Sequence, residues 1–131
     1  MPAAIADLRA GLADNLRTIP GLRVYELIPD NPSFPAAVIS LDRVAYDSTM
    51  ARGADEIAFL VTLVVGRSDD RTAQTRLDTY LAGSGAQSVK TAIEADVTLG
   101  GAAMTCRVEE ARNIATVDSL LLVDFSVTVY A

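Results

Sequence analysis

Alternation of apolar and mixed positions is clearest between Asp55 and Gly66, where the chain reads DEIAFLVTLVVG. Ile57, Phe59, Val61, Leu63 and Val65 are apolar at every second residue. Strands send successive side chains to opposite faces, so these five predict one continuous core stripe. The other face carries Glu56, Ala58, Leu60, Thr62 and Val64, too apolar for open solvent and too polar for a second full core. Residues 120–130 repeat the pattern. Leu121, Val123, Phe125, Val127 and Val129 point one way, and Leu120, Leu122, Asp124, Ser126, Thr128 and Tyr130 the other.

Elsewhere the period changes. Ile5, Leu8, Leu12, Leu16 and Ile19 recur at helical steps, which predicts an amphipathic helix over residues 3–18, stopped by Pro20-Gly21. Its polar face lacks the lysines of a membrane-surface helix, so core packing is the expected role. Residues 22–28 and 36–42 read as strands, separated by a proline-dense loop whose rings cannot donate to a ladder. Residues 43–53 then read as a long loop, with Tyr46, Asp47, Met50 and Arg52 as candidate contact residues.

A helix follows, capped by Ser68 or Asp69, with Ala73, Leu77, Tyr80 and Leu81 inward. Ser84 and Gln87 have the spacing of a capping box for a shorter helix carrying Val89, Ile93 and Val97 inward. A strand over 102–111 places Met104, Cys106 and Val108 in the core, and residues 112–119 read as a loose hairpin arm. The expected fold is therefore α+β: one domain, order α-β-β-β-α-α-β-β, with a mainly antiparallel sheet packed against helices.

Composition sharpens this picture. The chain has 131 residues, half of them apolar but only 5% aromatic and no tryptophan, so the core must be aliphatic. A chain of this size buries roughly two-thirds of its extended surface, enough for one core. No apolar run reaches the roughly 20 residues needed to span a bilayer, and no basic-then-apolar leader opens the chain. The expectation is a soluble chain made in the cytosol, with no membrane partner. Net charge is −6, which disfavours direct binding to a phosphate backbone but suits a surface past which DNA slides.

Candidate chemistry is sparse. One cysteine and no histidine cannot supply a usual zinc site or a histidine-based triad. Cys106 falls on the apolar side of its strand and reads as core. Gly83 to Thr91 has glycines ahead of Lys90-Thr91, yet Val89 stands where a phosphate loop needs glycine, and a helix precedes it instead of a strand. The pairs Asp55-Glu56 and Glu109-Glu110 lie on strands, where alternation separates neighbours; Asp69-Asp70 suits a helix amino terminus. No catalytic, cofactor or metal residues emerge, and the chain is not expected to be an enzyme. The positive feature is the second sheet face: Leu60, Val64, Leu120 and Leu122 are candidate interface residues, because three helices do not readily cover both sides of five strands.

Three phrases carry a resemblance: TIPGLRVYELIPDNPSFPAAVI (Thr18 to Ile39), YDSTMARGADEIAFLVTLVVGRSDDRTAQTRLDTYLAGSG (Tyr46 to Gly85) and SVKTAIEADVTLGG (Ser88 to Gly101). Nearly end to end, the chain resembles the tail terminator (tail completion, head-to-tail joining) proteins of long-tailed bacteriophages, of the actinobacterial phage type. None of these phrases is a catalytic signature. The resemblance implies an α+β subunit of a homohexameric ring at the head-tail junction of the virion, assembled in the host cytoplasm. Its implied partners are copies of itself, the tail tube protein and the head connector or head-completion protein, with DNA only as passing cargo. The alternatives are another head-tail adaptor, or a stand-alone ligand-binding α+β domain.

Overall fold

A computed structural model describes residues 5–19, 21–26, 35–46, 55–67, 71–85, 87–101, 103, 105–117 and 120–131. The elements run α1 (Ile5–Leu16), β1 (Arg23–Tyr25), β2 (Ala36–Ala45), β3 (Glu56–Arg67), α2 (Arg71–Leu81), α3 (Val89–Glu94), β4 (Thr105–Val117) and β5 (Leu120–Tyr130). This is the expected α-β-β-β-α-α-β-β order in a single α+β domain. The five strands form one sheet in the order β1-β2-β3-β5-β4. Every pairing is antiparallel except β1 with β2, which is parallel.

The odd positions of β3 form the core stripe. Phe59, Val61 and Leu63 are fully buried, with Val123, Val127 and Val129 of β5 in the same cluster. Leu8, Leu12 and Leu16 of α1, Ala73, Leu77 and Tyr80 of α2, and Val89, Ala92 and Ile93 of α3 complete it. All three helices therefore pack on one face of the sheet. Asn15 ties two of them together by donating from Nδ2 to the carbonyls of Ile93 and Asp96, each at 3.0 Å. Beside it, Gly11 admits the backbone of Leu99 where any Cβ would lie 2.5 Å from the Leu99 carbonyl oxygen.

Four sequence expectations are corrected. The second strand does not end at Asp42. A bulge there lets Leu41 pair with Phe59 and Arg43 with Ala58, so the ladder continues to Ala45 and the expected loop loses its first residues. The fourth strand does not end at Ala111 either. Two bulges, between Val108 and Glu110 and between Arg112 and Ala115, carry its pairing with β5 to Val117, which replaces the expected loose arm. Polar residues are tolerated along it because β4 is the sheet's margin and its side chains from Glu109 to Thr116 are exposed.

The third helix is capped by Ser88 instead of Ser84. The Ser88 side chain accepts from the Thr91 N–H and donates to the Ala82 carbonyl, so both halves of the hydroxyl are used. Val97 is exposed, while Leu99, in a left-handed backbone conformation (φ 51°), takes the inward place over Gly11. The expected core residue Met104 and the caps Ser68 and Asp69 lie outside the described residues.

Candidate functional site: the uncovered sheet face

Among the described residues no helix packs on the other face of the sheet, and the pairing registers arrange that face into rows across β4, β5, β3 and β2. Arg107, Thr128, Ala58 and Arg43 form one row. The next are Glu110, Ser126, Leu60 and Ser40, then Arg112, Asp124, Thr62 and Val38, then Ala115, Leu122, Val64 and Ala36. Leu120 shares its face with Leu122 and is paired across from Arg67. The face is thus zoned: charged and hydroxyl-bearing at the end where Glu56 meets Tyr130, aliphatic at the end where Val64 meets Leu122.

This zoning sorts the residues proposed from sequence. Val64 and Leu122 are direct cross-strand partners, and Leu120 lies next along β5. All three are half-buried and outside the core cluster. Leu60 is also half-buried, but its lateral neighbours are Ser126 and Ser40, so it sits in the polar zone and apart from the other three. Tyr46 is 77% exposed and follows the last residue of β2, at the charged end. The aliphatic end begins at Ala36, about 30 Å away along an extended strand. The arm candidate and the aliphatic candidates therefore do not converge on one spot. Asp47, Met50 and Arg52 lie outside the described residues.

A row of hydrogen bonds divides the zones. The Asp124 carboxylate accepts from the Thr62 hydroxyl at 2.8 Å and from the Asn113 side-chain amide at 3.1 Å. Asn113 reaches it from the bulge in β4, where its backbone is left-handed (φ 57°), a conformation asparagine tolerates better than most residues. The same bulge leaves Ile114 54% exposed.

The charged zone holds a feature that alternation alone does not predict. Asp42, Arg43, Glu56, Glu109, Glu110 and Arg112 surround a floor of Ala58, Ser126 and Thr128, enclosing a groove of about 470 Å³. Glu109 and Glu110 both line it, contrary to the expectation that strand neighbours face apart, because the bulge breaks the alternation there. Arg43 pairs with Glu56 at 3.3 Å, Arg107 with Glu109 at 3.3 Å, and Arg112 with Glu110 at 3.7 Å. Such exposed pairs are worth about 0–1 kcal/mol each and mainly set the pattern of charge. The clue in the sequence was the density of charge between Arg107 and Arg112, which an inward-outward reading shared between two faces.

Away from this face, Cys106 is buried as expected, with its sulfur 3.9 Å from the Ile93 carbonyl. Burial first, then the Glu94 and Asp96 charges, pushes its thiol up to about 11. Among the described residues no cluster of three or more histidine, cysteine or carboxylate side chains could hold a metal ion, and no helix is long and apolar enough to cross a membrane. Lys90 is paired with Glu94 one helical turn on. No family model matches the chain, and a search of curated proteins returns no match.

Proposed function

We propose that this chain is a structural virion assembly protein: a subunit of a homohexameric ring at the head-tail junction that ends tail-tube polymerisation and joins tail to head. The observation that carries the reading is the aliphatic end of the uncovered face, Val64, Leu122 and Leu120, half-buried on the side away from all three helices. Apolar side chains gathered there stabilise the assembly when a second protein surface removes them from water. A ring needs such a patch, since each subunit presents one surface to a different surface of its neighbour.

The family resemblance in the sequence supplies the rest. It names the partners as the tail tube protein and the head connector or head-completion protein, with the genome passing through the lumen. The net charge of −6 supports that last role, because an acid-rich wall repels the phosphate backbone. No chemical step is assigned to the chain.

The test is genetic. Deleting the gene from the phage or prophage that carries it should give overlong tails that fail to join heads. Filled but unstable heads with tails of ordinary length would instead place the protein among the head-completion adaptors. Ordinary virions would overturn both. Leu122→Glu should reproduce the deletion while leaving a folded chain.

A further inference from the structure

We draw no further inference here: the strongest candidate, the charged groove on the uncovered sheet face between Arg43 and Arg112, carries nothing, because three of its carboxylates are already answered by arginines of the same face and nothing in the structure shows what covers it.

Discussion

The Glu94 carboxylate accepts the backbone N–H of Val108 at 3.0 Å, so the last residue of α3 holds the strand at the start of its first bulge. Burial opposes the charged form of Glu94. Hydrogen bonds from Lys90 and Val108, with the charges of Lys90 and Arg107, outweigh it and hold the carboxyl below its ordinary 4.5. A carboxylate with a depressed value in the folded state contributes stability above its unfolded value, and that contribution is lost as pH falls through the folded one. Glu94→Ala should cost about 1 kcal/mol at neutral pH, the lower range for a hydrogen bond to a charged group once solvent screening is allowed for. In urea titrations the gap between the two proteins should close below pH 4.5; a gap that persists in acid would show that packing, and not charge, is responsible.

Gly11 and Leu99 make a second prediction. A methyl group at residue 11 would meet the Leu99 carbonyl at 2.5 Å and the Leu99 Cβ at 2.7 Å, both in a fully packed region. Gly11→Ala should gain about 0.5–1 kcal/mol from helix propensity and lose about 1–3 kcal/mol to overpacking, a net destabilisation. Gly83→Ala is the control: nothing lies within 4 Å of a Cβ there, and thermal unfolding should be close to unchanged.

Opposite faces of one ladder give the third. Leu63 is fully buried beneath the helices, whereas Leu122, opposite its neighbour Val64, is on the uncovered side. Leu63→Ala should cost about 2–5 kcal/mol of stability. Leu122→Ala should cost about 1 kcal/mol or less in the monomer and act mainly on assembly, since half-buried surface has less to lose. Light scattering on concentrated protein separates the two: self-association should fall for Leu122→Ala in proportion far exceeding its change in melting temperature. Equal assembly by both proteins would remove the aliphatic end from the interface.

Thiol chemistry checks the packing between α3 and β4. Only the thiolate reacts with disulfide reagents, and Cys106 is both buried and held near 11. The native protein should therefore react slowly and the denatured one at one thiol per chain. Glu94→Ala should speed the native reaction by removing a charge that raises the thiol and the hydrogen bond that ties α3 to β4; no acceleration would mean that the thiol is reached by global unfolding alone.

The alternating stretches at 55–66 and 120–130 made two of the sheet's three inner strands and their buried side readable in advance, and the three- and four-residue steps did the same for the helices. What they could not reveal was where the alternation slips. Asp42 looks like a strand end and is a bulge: Leu41 pairs with Phe59 and Arg43 with Ala58, and the skipped residue returns Val44 to the inner side. Arg112 to Ala115 breaks period two in the sequence, yet its partner β5 keeps it in the ladder. Ser84 and Ser88 are comparable caps by residue type; the turn after α2, which brings the Ala82 carbonyl to the Ser88 hydroxyl, favours Ser88. The zoning of the uncovered face was hidden for the same reason. Leu60 and Val64 are two residues of one kind on one strand, and only the register of β5 and β2 separates them into serine and aliphatic surroundings.

The crooked course of β4 has a consequence for how the protein behaves when crowded. A thirteen-residue strand at a sheet's margin, paired on one side only, would ordinarily seed fibrous stacking, strand upon strand. Two offsets and a run of ionised side chains leave no straight stretch for an incoming strand to follow. Concentrated protein can then stay clear of amyloid, because the rim offers an incoming strand no continuous ladder.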